Sequence, residues 1–265
     1  MSHTHPHTGA DADTDADTDT GAECRPAVIE LRQYTLRPGR REELIELFDR
    51  EFIETQEETG MVILGQFRDL DDPDRFVWLR GFQNMTVRHH ALTAFYNGPV
   101  WAEHGPRANA TITDSDNVLL LRPLITTSGF AVRPSQRPRP GTPTPTPAPE
   151  RFLSATIWSF PLGQHEGITL IRNHLLPILH ETSPAPLAVL TTETAHNTFT
   201  RLPVRTPENT AVVFTPYPDT HAHHQHLTEI QAHPDAREIL TNIGREQTTP
   251  PRTLRLTPTH RSLIP

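Results

Sequence analysis

Arg32, Tyr34, Trp78 and Arg80 are the residues whose types and spacing could do chemistry. Each pair is two positions apart within a stretch that reads as a β-strand, so Arg32 shares a face with Tyr34, and Phe76 and Trp78 share one with Arg80. A buried guanidinium can hold a carboxylate or enolate through two parallel hydrogen bonds, aromatic rings can stack on a planar ligand, and a phenol can stabilise an oxyanion. Tyr34, Arg80 and His104, whose imidazole titrates near neutrality, form the candidate catalytic set. Arg32, Phe76, Trp78 and, from later in the chain, Trp158 form the candidate ligand-binding set. The competing account is an internal ion pair of Arg80 or Arg32 with Glu30, with Tyr34 in the core and His104 on the surface.

Other chemistries are harder to place. All 24 basic residues among the 265 are Arg, so Schiff-base formation and a phosphate-binding P-loop lysine are excluded, since each needs an ε-amine. The single Cys24 excludes an intrachain disulfide and a cysteine metal site, and it fits a reducing cytoplasm. His221, His223, His224 and His226 tempt a metal assignment, but neighbouring His223 and His224 point apart on a helix and no HExxH pattern occurs. They read as the exposed start of a helix, and no metal is expected. His89 and His90 lie on an earlier helix, where His89 shares a face with Leu92 and Phe95 and reads as packing with a polar tip. No G-x-S-x-G or dinucleotide-binding glycine pattern is present. No cofactor is called for; haem stays open, but no residue pattern supports it.

The elements that must position these residues occur twice. Sliding the chain by 135 residues lays Phe82 on Tyr217, His89 on His224, Leu92 on Leu227 and Pro99 on Pro234. The same shift carries Leu119, Leu121 and Pro123 onto Leu254, Leu256 and Pro258. This is a domain-sized duplication, since solenoid units recur every ~20–50 residues. In the first copy the pattern predicts a strand over 28–36, a helix over 40–58 ended by Gly60, strands over 61–68 and 75–82, a helix over 86–96 continued over 100–109, and a strand over 118–122. That βαββαβ order is the ferredoxin-like arrangement, four antiparallel strands with both helices on one face. The second copy restarts at Phe152, with helices over 168–179 and 221–231 and strands over 152–160, 187–193, 211–214 and 252–257.

Four segments follow: a disordered acidic, His-bearing tail over 1–25, a first ferredoxin-like domain over 26–125, an extended Pro/Thr-rich linker over 126–150, and a second, divergent domain over 151–260. Early in the second copy the offset is 124, laying Tyr34 on Trp158, and its growth to 135 places 11 extra residues in 195–207. This enlarged hairpin is long enough to reach over a pocket mouth. Each copy has one sheet face without helices, and an exposed apolar face is not tolerated. The two sheets are therefore expected to face each other within one chain and close an α/β barrel, an α+β fold. The face carrying Phe76, Trp78, Arg80 and Phe82 is expected inside it.

The run Glu30-Leu31-Arg32-Gln33-Tyr34-Thr35-Leu36-Arg37-Pro38-Gly39, then Phe76-Val77-Trp78-Leu79-Arg80, Ala94-Phe95-Tyr96, Trp101 and Asp116 to Pro123, resembles the NIPSNAP family of the dimeric α/β-barrel superfamily. The likeness is close over 28–123 and reaches 152–258 only through the repeat. There Val213 and Thr215 replace Trp78 and Arg80, so the second copy is expected to be structural. The resemblance implies a barrel with a small-molecule cavity. It also implies a superfamily whose members include cofactor-free monooxygenases, haem enzymes, decarboxylases, cyclases and aldoxime dehydratases, so the fold does not choose the reaction.

The net charge of −8 gives no footprint for nucleic acid or anionic membrane, and no apolar run approaches the ~20 residues of a membrane span. A cytoplasmic protein is expected. Arg without Lys, with 27 Pro, suggests a GC-rich bacterial genome. Two function classes stand. One is a small-molecule enzyme of bacterial secondary metabolism, acting without a covalent cofactor on an aromatic or polyketide-like metabolite by monooxygenation, cyclisation or related acid/base chemistry. The other is a non-catalytic ligand-binding or protein-interaction module. Exposed sheet edges or domain swapping leave room for a homodimer.

Overall fold

The computed structural model describes residues 22–143 and 150–264. The first repeat contains β1 (Val28–Leu36), α1 (Arg41–Leu47), a π-helical turn (Phe48–Phe52), α2 (Ile53–Glu57), β2 (Val62–Asp69), β3 (Arg75–Phe82), α3 (Met85–Tyr96), α4 (Pro99–Thr111), the short β4 (Ile112–Asp114) and β5 (Val118–Pro123). The second contains β6 (Phe152–Ser159), α5 (Glu166–Leu170), a π-helical turn (Ile171–Leu175), α6 (Leu176–Glu181), β7 (Ala188–Thr192), β8 (Thr210–Tyr217), α7 (Thr220–Ala232), α8 (Pro234–Glu246) and β9 (Thr249–Pro258). Gly60, at φ 97°, takes the left-handed conformation that stops α2 and turns the chain into β2. Asn84 starts α3 by accepting the Val87 N–H, and Asp219 does the same for α7 with Ala222. Helix α8 was not anticipated, although shifting α4 by the repeat offset falls on it.

Within the first repeat the strand order is β2-β3-β1-β5, and within the second β7-β8-β6-β9. Edge strands pair across the repeats, β2 with β9 and β5 with β7, all antiparallel. The two sheets thus close into one barrel of eight antiparallel strands, with β4 as a side strand on β1. Closure removes the unpaired edges that an open sheet would present.

The lumen is filled by aliphatic side chains from both repeats, among them Ile29, Leu31, Val77, Leu79, Leu153, Leu190, Val212 and Leu256. An eight-stranded barrel is just wide enough for side chains to fill, and here branched aliphatics with Phe67 and Phe214 fill it. The stretch expected to be an extended linker contributes to this core. Phe130 and Val132 are buried with it, Cys24 bridges to Val132, and Ile264 joins them from the C-terminal end. The acidic tail falls almost wholly outside the described residues.

On the outer faces of the sheets, two further cores lie beneath helices. One packs β1 and β3 against α1, the first π-helical turn, α3 and α4. The other packs β6 and β8 against α5 to α8. Phe76, Trp78 and Tyr34 belong to the first of these, with Phe48, Phe52 and Phe95. This inverts the expected orientation: Arg32, Tyr34, Phe76, Trp78 and Arg80 lie under the helices, and their aliphatic strand neighbours line the barrel. The lumen does hold Phe67, Phe130 and Phe214, so the segregation follows charge: buried Glu30, Arg32 and Arg80 need polar partners, and α2 and α3 supply Gln56 and Arg88.

Candidate functional site

Glu30 organises the helix-covered face of the first repeat. It is fully buried on β1, cross-strand from Arg80 on β3 and two residues from Arg32. Its carboxylate lies 2.6 Å from Arg32, 2.8 Å from Arg80 and 2.7 Å from Arg88, which α3 delivers from above the sheet. All three arginines are fully buried as well. Burial alone would raise the Glu30 carboxyl, but Arg80, Arg32 and Arg88 overcome it and hold the group far below the usual carboxylate range. Three guanidinium charges against one carboxylate leave a buried net charge of +2. Arg32 Nη2, Arg88 Nη2 and Trp78 Nε1 are buried donors with no acceptor among the described residues.

Two phenols meet this cluster. The Tyr34 hydroxyl accepts a hydrogen bond of 2.9 Å from Arg32 Nε, and the Tyr96 hydroxyl lies 3.5 Å from Arg80 Nη1. Burial pushes the Tyr34 phenol above its ordinary value, with Arg32 opposing, so it stays protonated at neutral pH. The Trp78 ring lies under the Arg32 and Arg80 guanidinium groups at 5.5 and 5.0 Å, and edge-on to Tyr34 at 5.9 Å. Arg80 Nη1 also donates to Gln56 Oε1 at 3.2 Å.

A cavity of about 70 Å³ opens between this cluster and the helices. Tyr34, Tyr96, Gln56, Trp78, Phe48 and Trp101 are among the residues that line it. The π-helical turn supplies Phe48 and Phe52, an irregularity that recurs in the second repeat at Ile171–Leu175 and is frequent at functional sites. The Trp101 ring lies against Gly105, where an added Cβ would sit 2.7 Å from it.

The enlarged hairpin between β7 and β8 does reach over a pocket mouth, and the pocket belongs to the other repeat. Leu202 lines the first-repeat cavity, and Phe199 and Val204 join its core. Asn197 Oδ1 accepts from Arg88 at 2.9 Å, His89 Nδ1 is 3.0 Å from the Thr198 carbonyl, and Arg201 donates to the Tyr96 carbonyl at 3.1 Å.

The sequence candidates therefore converge, on the opposite face from the one expected. Tyr34 and Trp78 line the cavity, Arg32 and Arg80 stand behind it on Glu30, and Phe76 packs beneath Tyr34 and Phe48 without lining it. His104 faces away, 3.5 Å from Glu51 and partly exposed on α4. Trp158 lies in the corresponding cavity of the second repeat. Arg88, Tyr96 and Gln56 were missed. Arg88 precedes Leu92 and Phe95 by four and seven residues on α3, and that helical stripe was the available signal.

The comparisons follow this geometry. Residues 29–125 match the family model described as NIPSNAP. The NIPSNAP match covers the first repeat, including Glu30, all three arginines, both tyrosines and Trp78, and stops before the second. Solved two-repeat structures extend the likeness to the whole fold. A putative monooxygenase from Fusobacterium nucleatum aligns over 88% of this chain and 93% of its own, with TM-score 0.57 and 8% identity. One from Lactobacillus acidophilus aligns over 88% and 94%, with TM-score 0.54 and 11% identity. An anthrone oxidase-like protein aligns over 92% and 98%, with TM-score 0.56 and 13% identity. At such identities the likeness is one of fold. A comparison with curated proteins finds no match. Among the described residues no three His, Cys, Asp or Glu side chains gather as metal ligands, and no helix is long and apolar enough to cross a membrane.

Proposed function

We propose that the first-repeat cavity is a reaction centre for a small planar molecule bearing an ionisable C–H or O–H group. Its substrate oxygen is stabilised as an anion by the Tyr34 and Tyr96 hydroxyls, each backed by a buried arginine. The observation that carries this reading is the buried net charge of +2 with unpaired donors, set directly behind the two phenols. Buried donors left without acceptors are costly, and an enolate or phenolate oxygen supplies the missing negative charge. Tyr34 and Tyr96 are the catalytic residues in this reading, Arg32 and Arg80 position them, and Trp78 and Phe48, in edge contact with each other, form one wall for the ring. His104 lies outside the constellation.

At about 70 Å³ the cavity is smaller than the ~150 Å³ that holds benzene, so substrate entry displaces Leu202 and the hairpin that carries it. The hairpin then closes over the ring and excludes water, which strengthens the field of the cluster. The C–H proton leaves to water while the cavity is still open, drawn off by the positive field of the cluster, and the carbanion then reacts with dioxygen, R₂CH₂ + O₂ giving R₂C=O + H₂O. The names of the monooxygenase and anthrone oxidase-like neighbours agree with that outcome. One observation favours a binding-only role instead: none of the lining residues is a carboxylate or imidazole that could act as base.

Oxygen-electrode assays with anthrone as probe separate the two readings. The enzyme reading requires consumption of one O₂ per anthrone, slowed about 10²–10³-fold by Tyr34→Phe, the usual effect of removing one oxyanion donor. Saturable anthrone binding with no oxygen uptake above the buffer rate would establish the binding-only role.

A further inference from the structure

The second repeat has its own cavity between sheet and helices, of about 500 Å³, within the ~300–1,000 Å³ range of small-molecule sites. Strand register makes its residues the counterparts of the first-repeat cluster. Glu30 opposite Arg80 becomes Ser154 opposite Thr215, and Val28 opposite Phe82 becomes Phe152 opposite Tyr217. The shift that lays Phe82 on Tyr217 also lays Arg88 on His223. Every charged member of the first cluster is thus replaced by a hydroxyl or an imidazole. The only Asp, Glu or Arg side chains lining the cavity are Asp71 and Arg255, which neutralise each other in an ion pair at its rim.

The polar groups gather in one place. Ser154, Thr215 and Tyr217 are all buried and line the cavity together, Ser154 directly opposite Thr215 and Tyr217 two residues further along the same strand as Thr215. Burial pushes the Tyr217 phenol up to about 12, with Ser154 and Thr215 opposing, so it is a proton donor at any physiological pH. The His223 ring lies 4.7 Å from the Tyr217 ring, and its buried Nδ1 has no partner among the described residues. Burial, then His224, Arg255 and His226, lower the His223 imidazole, which keeps it neutral near pH 7. Trp158, Leu175, Leu179 and Ile230 supply the apolar wall. The His221 to His226 run is therefore more than an exposed helix start: His226 is buried, and His223 and His226 both line the cavity.

We propose that the second repeat binds an uncharged, ring-containing molecule with a hydroxyl or carbonyl at one end, held by Tyr217, Thr215, Ser154 and His223. The inference stands independently of the first-repeat reading. The two cavities have opposite preferences: the first is built for an oxygen that becomes anionic, and the second penalises charge. A buried charge without a counter-ion is far costlier than a hydrogen-bonded hydroxyl.

Isothermal titration of the full chain with 1-naphthol and with 1-naphthalenesulfonate as probes tests this. A saturable 1-naphthol site that is weakened in a variant filling the second cavity and kept in one filling the first is expected, with the sulfonate at least tenfold weaker at that site. Thr215→Val, which is nearly isosteric, should weaken 1-naphthol about tenfold. Leu227→Trp should do the same by filling the cavity from a rim position that is 43% exposed and thus safe for folding. Leu202→Trp, which fills the first cavity, should leave the affinity within twofold. Absence of saturable 1-naphthol binding, equal affinity for the sulfonate, or loss of binding in Leu202→Trp with none in Leu227→Trp would each overturn the proposal.

Discussion

Replacing Glu30 by Gln and Arg88 by Met should produce unequal damage, and the inequality tests the electrostatic account of the first repeat. Glu30→Gln keeps the shape of the side chain but leaves three fully buried guanidinium groups without an anion. Removing one partner of a buried pair costs about 3–5 kcal/mol, and three cations losing one shared partner should reach the upper end or beyond it. That is a large share of the ~5–15 kcal/mol that holds a typical domain. Arg88→Met removes two charge-assisted bonds, to Glu30 and Asn197, each worth about 1.5–3 kcal/mol, but it also removes a cation that two other cations repel, which offsets most of that loss. A net loss of about 1–2 kcal/mol is expected. Urea unfolding of the full chain, followed by far-ultraviolet circular dichroism, would separate these, because m of about 3 kcal/mol/M converts them to midpoint shifts of about 1.5 M and 0.5 M. Since the folded Glu30 carboxyl is depressed, its contribution is fully present above the unfolded value of about 4.3 and is lost as pH falls through the folded value. The gap between wild type and Glu30→Gln should be flat from pH 8 to about 5 and shrink only in stronger acid. An Arg88→Met variant less stable than Glu30→Gln would refute the reasoning, because the cluster would then not be short of negative charge.

Two further outcomes are expected. Burial raises the Asp49 carboxyl to about 6 despite Arg261 and Arg68, so its charged form disfavours the folded state, an effect absent below the unfolded value of about 3.9 and complete above 6. Asp49→Asn should therefore raise stability by about 1–2 kcal/mol at pH 7.5 and leave it unchanged near pH 3.5, as read from thermal unfolding at the two pH values. Gly105→Ala should push the Trp101 ring off α4 and into the first cavity, costing about 1–3 kcal/mol as overpacking does. It should also weaken binding of a planar ligand there more than it lowers the melting temperature of the empty chain.

Much of the architecture was legible in the residues. Strict alternation over 28–36 and 75–82 separates Ile29 and Leu31 from Glu30, Arg32 and Tyr34, and the repeat offsets locate the enlarged hairpin. What alternation could not supply was which face meets the helices. Both faces of β1 and β3 are buried, so the usual contrast between a wet and a dry face was missing. The polar partners of Glu30 and Arg80 decided the matter, and Arg88 and Gln56 come from helices distant in sequence, which no local strand pattern encodes. Arg88 was overlooked because a charged residue on a helix is normally read as solvated. It is tolerated inside because Glu30, distant in sequence, neutralises it there. Helix α8 carries Ile239, Leu240 and Ile243 at helical spacing, and the repeat pointed to it, but the polar stretch around these residues hid the pattern.

The two connections between the second and third strands of each repeat are equivalent in topology and unequal in length. In the first repeat it is a tight turn that brings Asp71 to the rim of the second cavity. In the second it is the long hairpin that lays Leu202 into the first. Each half thus furnishes part of the enclosure of its sibling. Were the barrel assembled from two identical chains, any lengthening of this connection would cover both cavities at once. Joining the halves in one polypeptide frees the pair from that reciprocity. One chamber can be narrowed and charged while the other stays wide and neutral, and a change to the lid of either is written in the sequence of its neighbour.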